Sequence, residues 1–312
     1  MTILFKNALI YQLTQPSASF IESLKANAED NEFVPCGSYD ALSIGLTSIV
    51  PDILDDTVAS LGEVTLFAVK RQEKKIPAQA LREAVDLEVE AIEEQQDRKV
   101  YRKEKLQIKE AVHARLLPNI LPVSAITRGY IDHKTDLVFI DTTSTTKAEE
   151  VLNFIRDAIG SFPVKPISPT GHPAQIMTPW LKDGGCDGLI VLEEGKLSNP
   201  LDGGEAATLK NTDMQSEAVQ RFVQDGWTVE SLRLSHREIA FTITDDADRL
   251  KRIQWPEIVN EGDLEEMDAI QHLEADLHIM VEEFRCILQR IGQAFGGWIK
   301  QEPLKLEEEK AA

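Results

Sequence analysis

The sequence predicts an α+β protein in which mixed α/β core domains carry a projecting helical arm. Three observations lead there. Short β-like runs alternate with helix-periodic segments through both halves of the chain. A charge-segregated helical stretch interrupts the first half, and a long amphipathic stripe closes the second. At 312 residues the chain exceeds what one core usually covers, which favours two domains. The organisation expected is an N-terminal α/β domain over 1–75 plus 113–168 with an arm inserted at 76–112. A C-terminal α+β domain over 169–297 and a disordered tail over 298–312 follow.

In the first half, strands are expected at 3–13, 63–70, 127–132 and 137–141, and helices at 18–26 and 146–159. The second helix places Val151, Phe154, Ile155 and Ile159 on one face, with Thr145 or Thr146 as N-cap and Gly160 just past its end. A short strand at 162–167 follows. The Pro/Gly-bearing run SPTGHPAQ from Ser168 then reads as a boundary.

The second half offers strands at 189–192, 229–234, 239–244 and 250–255, with His236 and Arg237 at a tight hairpin connection and 245–248 as the next turn. From 268 to 295 runs a helix whose Leu273, Leu277, Met280, Val281, Phe284, Leu288 and Ile291 form one stripe. Such a stripe serves either the chain's own core or a partner chain. Leu277, Phe284 and Leu288, with Leu121, are therefore candidate dimer-interface residues.

The arm carries the main chemical signal. Glu83, Asp86, Glu88, Glu90, Glu93, Glu94 and Asp97 are acidic, whereas Arg98, Lys99, Arg102, Lys103, Lys105 and Lys109 are basic, interrupted only by Glu104. Leu81, Val85, Val89 and Ile92 keep helical spacing, and Leu106, Ile108 and Val112 continue it more weakly. Pro77 fits a first helical turn. The stretch is one long helix, or a hairpin bending near Val100 and Tyr101. As one helix, its polarity would simply complement the macrodipole; the alternative is a phosphate-contacting arm.

Hydrophobic residues at 42% and charged residues at 28% are ordinary for a soluble globular protein. No apolar run approaches the roughly 20 residues of a membrane span, and the N-terminus lacks the features of a signal peptide. A cytoplasmic protein with no membrane partner is expected. The net charge of −20 argues against nucleic acid at face value. Local potential decides instead, because charges beyond a Debye length of roughly 8 Å are screened.

Catalytic and metal signatures are weak. Cys36, Cys186 and Cys286 are far apart, with no CxxC or Cys/His cluster, and read as idle thiols. His272 and His278 do not stack at i, i+4. No metal and no cofactor are expected. The glycines of DGGCDG lack phosphate-loop spacing and read as a turn. A metal-dependent nuclease is the sharper alternative: Asp187 with Glu194 and Lys196 imitates an Asp plus Glu-x-Lys arrangement, in which carboxylates hold Mg²⁺ and a lysine orients water. An acidic scaffold that meets only proteins is another. Helix-turn-helix and zinc-finger patterns are missing, so base readout is not expected.

Several stretches together resemble the RdgC family. They are LFKNALIYQLT near the start, FVPCGSYDALSIG at 33–45, EKKIPAQALREAV at 73–85, HARLLPNILP at 113–122, TTKAEEVLNFIRDAIGSFPVKPIS at 145–168, TDDADRLKRIQW at 244–255 and AFGG at 294–297. The resemblance is collinear over roughly 1–297. It implies a non-enzymatic, nucleoid-associated DNA-binding protein. Its members form a ring-shaped homodimer around duplex DNA, also take single strands, and restrain RecA-dependent recombination. By position, it assigns DNA contact to Arg98, Lys99, Arg102, Lys103, Lys105 and Lys109, to Lys70, Arg71, Lys74 and Lys75, and less firmly to Lys210. Asn119 and Leu121 stand where relatives can carry arginine and phenylalanine.

Overall fold

The computed structural model describes residues 3–51, 53–199, 204–256 and 268–300. Its framework is one mixed-order, mostly antiparallel sheet of thirteen strands among the described residues. In chain order these are β1 (Ala8–Leu13), β2 (Leu42–Thr47), β3 (Val58–Leu61), β4 (Val64–Glu73), β5 (Val123–Asp132), β6 (Leu137–Ile140) and β7 (Val164–Pro166). The second half adds β8 (Gly185–Cys186), β9 (Leu189–Ser198), β10 (Ala206–Lys210), β11 (Thr228–His236), β12 (Ile239–Thr244) and β13 (Arg249–Gln254). The helices are α1 (Ser17–Ala26), α2 (Ala78–Gln96), α3 (Arg102–Leu116), α4 (Thr145–Ile159), α5 (Pro173–Asp183), α6 (Glu217–Gln224) and α7 (Ala269–Ala294).

The main path of the sheet runs β10-β9-β11-β12-β13-β1-β6-β5-β4-β2. The two halves expected as separate domains therefore share a sheet, joined where Ala8 faces Leu250 and Leu9 faces Arg249 across β1 and β13. Strand alternation sends successive side chains to opposite faces, and each face receives different helices. On one face Ile10, Leu66, Phe139, Leu232, Phe241 and Leu250 pack with residues of α5, α6 and α7. On the other, Leu9, Phe67, Ile131, Val138 and Ile140 pack with α1 and α4. Among the described residues, only the first half of the sheet has helices on both sides.

Leu277, Phe284 and Leu288 are 2%, 0% and 5% exposed, in the chain's own core. This corrects their assignment to a dimer interface, because their apolar surface is already used to cover the sheet. Leu121, by contrast, is 87% exposed. The α7 N-terminus is held by a capping box between Asp268 and Gln271. Arg285, projecting from the same helix, grips Asp132 at the end of β5, with Nε to Oδ2 at 2.7 Å and Nη2 to Oδ1 at 2.6 Å.

Other expectations shift by a residue or more. The N-cap of α4 is Ser144, whose hydroxyl accepts from Lys147 N–H, and Gly160 ends that helix in the left-handed region. The stretch read as a boundary runs into α5, which Pro173 starts at a position where a missing N–H costs nothing. The expected tail begins as ordered chain: Ile299 N–H donates to Ser168 O at 2.9 Å and Trp298 Nε1 to Leu288 O at 3.1 Å. Residues 301–312 lie outside the described residues.

Candidate nucleic-acid interface

The arm is a helical hairpin. It leaves the sheet after β4, reverses at 97–101 and returns into β5. Asp97, at φ 45°, takes the left-handed conformation that ends α2, and Val100 N–H donates to Glu93 Oε1 at 2.7 Å. Val85, Ile108 and Val112 form a small core between the helices, separate from those of the sheet.

Reversal changes the meaning of the charge pattern. A single helix would place the cations near its C-terminus, where the dipole welcomes them. In the hairpin, Arg102, Lys103 and Lys105 occupy the start of α3, where each cation costs about 0.3–1 kcal/mol. Helix stability therefore does not explain them. No side chain caps this end, because Tyr101 makes no capping hydrogen bond. Arg102, Lys103, Lys105 and Lys109 line an open groove of about 730 Å³, with Val85 and Leu106 beneath.

The basic residues divide by what they touch. Arg98 makes a two-pronged pair with Glu104, at 2.7 and 2.6 Å. That hydrogen bond raises the Arg98 pKa and lowers that of Glu104. Lys105 pairs with Asp86 at 2.7 Å and Arg115 with Glu88 at 2.8 Å, so both cations lean across to the acidic helix. Lys99, Arg102, Lys103 and Lys109 are exposed and have no carboxylate partner among the described residues. With Arg82 on α2, which is also exposed and without such a partner among the described residues, these are the arm's available cations.

The second basic stretch mostly serves the fold. Lys74 is 7% exposed and its Nζ donates to the carbonyls of Gly37 and Ser38 at 2.7 and 2.9 Å. Its expected DNA contact is corrected accordingly, since the ammonium faces inward. Arg71 is held between Glu73 and Glu150 at 2.6 and 2.8 Å, which raises its pKa and neutralises its charge. Its expected availability to phosphate is corrected as well. Lys70 lies 4.5 Å over the Phe33 ring, while Lys75 is exposed. Lys210 is exposed on β10, at the opposite end of the sheet from the arm.

The nuclease-like residues do not assemble. Asp187 sits in the turn between β8 and β9. Far along β9, Glu194 is paired with Arg252 at 2.7 Å and Lys196 with Glu230 at 2.5 Å. Among the described residues, no three His, Cys, Asp or Glu side chains are grouped so as to hold a metal ion.

One contact was invisible in the sequence. Cys286 Sγ lies 3.4 Å from His236 Nε2, and the other ring nitrogen lies 3.0 Å from the Gly188 carbonyl. A carbonyl only accepts, so in the neutral ring Nδ1 carries the proton and Nε2 accepts from the thiol. Cys186 is different: burial and the nearby Asp187 push its thiol up to about 11.

No helix among the described residues is long and apolar enough to cross a membrane. The family model described as "Putative exonuclease, RdgC" matches residues 3–298. The recombination-associated protein RdgC of Psychromonas ingrahamii is 31% identical over 296 residues, covering 94% of this chain and 98% of its own length. Its counterpart from Shewanella denitrificans is 32% identical over 296 residues, with 94% and 97% covered. That of Mannheimia succiniciproducens is 31% identical over 297 residues with the same shares. With the match spanning nearly every described element, from the first strand to the long last helix, the chain belongs to the RdgC family.

Proposed function

We propose that this chain binds double-stranded DNA through its phosphates, without reading bases, as a homodimer closed into a ring around the duplex. Bound in this way at the nucleoid, in the cytoplasm, it restrains RecA-dependent recombination. Single strands are taken by the same backbone chemistry.

The observation that carries the reading is the set Lys99, Arg102, Lys103 and Lys109. These are exposed cations without carboxylate partners among the described residues; Arg102 and Lys103 stand in the first turn of α3, where the dipole disfavours them, with Lys99 just before that helix and Lys109 two turns along it. In a chain of net charge −20, such a concentration is held against the general trend. A helix start with free amides also suits phosphate oxygens. The relatives' name, recombination-associated protein, agrees with a DNA partner.

Self-association is supported at the base of the arm. β6 stops pairing with β5 at Gly129, so residues 123–127 have no strand on that side among the described residues. Leu121, Val123 and Ile126 beside this edge are 87%, 70% and 51% exposed. An open antiparallel edge with apolar side chains suits the same edge of a second copy across a two-fold axis.

The chain acts here as a binder and not as an enzyme, since Glu194 and Lys196 are engaged in ion pairs with neighbouring strands. Incubation of linear duplex with the protein and Mg²⁺ tests this directly: intact DNA is expected, and cleavage abolished by Glu194→Gln would reverse it. Duplex binding itself is tested by fluorescence anisotropy with unrelated sequences. Similar affinities that all weaken with salt are expected.

A further inference from the structure

The second half of the sheet has a face that no described helix covers. Paired residues of an antiparallel sheet point to the same side, so register alone identifies what this face carries. Arg233 faces Thr242, and Thr242 faces Lys251. Lys196 faces Ser231, which faces Thr244. Lys210 faces Glu194, two residues from Lys196 on β9. The reverse side of these strands holds Leu232, Ile243 and Leu250, in the core with α7.

Among the described residues, Lys196, Lys210, Arg233, Lys251 and Arg252 stand here against Glu194, which pairs with Arg252, and Glu230, which pairs with Lys196. Arg249, at the start of β13, is taken by Asp248 and Asp246. Arg233 is 7% exposed, and the acceptors its guanidinium bonds are neutral: Thr242 Oγ1 at 3.5 Å, Arg252 O at 3.2 Å and Gln254 Oε1 at 2.5 Å. Beside it, Arg252 bonds the same Thr242 hydroxyl at 3.1 Å. Burial and the Arg252 charge lower the Arg233 pKa, with only Glu194 opposing them. Two guanidiniums share one hydroxyl, and the charge between them is incompletely balanced.

We infer that this face of β10-β9-β11-β12-β13 is a second phosphate-contacting surface for the DNA backbone, centred on Lys251 and Arg252, with the buried Arg233 adding positive charge beneath them. The inference rests on the duplex-binding reading above and extends it to a surface separate from the arm. Four inter-strand steps of about 4.8 Å span about 19 Å. That width exceeds the roughly 6 Å of a minor groove, so cations on outer strands reach phosphates on both of its sides. Lys210, isolated by sequence, becomes one edge of this surface.

Lysine acetylation of the full-length protein, read by mass spectrometry with and without a random-sequence duplex, tests the surface in the unmodified chain. Lys196, Lys210 and Lys251 are expected to be protected at low salt, while Lys25 on α1, Lys147 on α4 and Lys182 on α5 label at the same rate. The variant Lys251→Gln with Arg252→Gln removes two cations from each protomer and is expected to reduce the salt slope of the ring by about 4, at roughly 0.9 for each phosphate no longer neutralised. Protection of Lys103 and Lys109 alone, with an unchanged slope in the sheet variant, overturns this inference and leaves the arm reading standing. No duplex binding by the parent protein overturns both. Protection of Lys251 by polyglutamate and not by duplex assigns the face to an acidic protein segment and likewise overturns the inference.

Discussion

Arg98 and Glu104 close the turn of the arm against each other, guanidinium to carboxylate, at 2.7 and 2.6 Å. The first cation of the basic run is thus occupied within the hairpin, and its charge is balanced locally. Removing both partners leaves the net charge unchanged. Arg98→Ala with Glu104→Ala is therefore expected to keep duplex affinity close to the parent. Arg102→Ala with Lys109→Ala removes two cations from each protomer and is expected to lower the salt slope of the ring by about 4. Anisotropy titrations at several salt concentrations compare the two.

Lys74 and Lys75 are adjacent cations with opposite duties. Lys74→Met removes a buried ammonium and leaves the carbonyls of Gly37 and Ser38 without their donor. A loss of about 1–3 kcal/mol is expected from urea unfolding, with DNA affinity per folded molecule unchanged. Weaker binding at unchanged stability would contradict the assignment.

Arg285 joins α7 to the sheet through Asp132, which is fully buried. Arg285→Ala strands that carboxylate, and about 3–5 kcal/mol of stability is expected to go. The pH dependence follows from the same neighbourhood. Burial pushes Asp132 up, but hydrogen bonds from Arg285, Thr135 and Lys134 N–H prevail and hold it below its ordinary 3.8. Its contribution is present above that value and is lost as pH falls through the folded one. Burial lowers His133 below its ordinary 6.5, the carboxylate of Asp132 notwithstanding. The unfolded chain protonates there first, so stability declines as pH drops below about 6.5. Urea midpoints between pH 8 and pH 5 measure this decline, and His133→Gln is expected to flatten it.

Leu121 and Ile126 are exposed apolar residues beside the open edge of β5. Leu121→Glu with Ile126→Glu is expected to shift the protein towards monomer in sedimentation velocity while leaving its circular dichroism unchanged. An unaltered dimer would place the interface elsewhere.

Local pattern made much of this fold legible. The strand expected at 239–244 matches β12, and the stripe from Leu273 to Ile291 matches α7. Both follow from periodicity, which needs no knowledge of neighbours. Elements that depend on neighbours were hidden. Strand β2 carries Gly45, whose absent side chain admits Phe33, as a Cβ there would meet its backbone at 2.4 Å. Helix α5 was masked by Pro173 and Pro179, although a helix accepts a proline in its first turn. In the same way, sequence named the arm but could not separate Lys74 from Lys75, or Arg98 from Arg102. Those differences are set by carbonyls and carboxylates distant in the chain. The cations of the bare sheet face come from separate strands, and only register brings them together.

Duplex affinity as a function of salt tests the proposed function most directly. With six to ten phosphates contacted per ring, log affinity is expected to fall against log salt with a slope of about −5 to −9, and equally for unrelated sequences. Affinity that stays flat as salt rises, or is absent even at low salt, would contradict it.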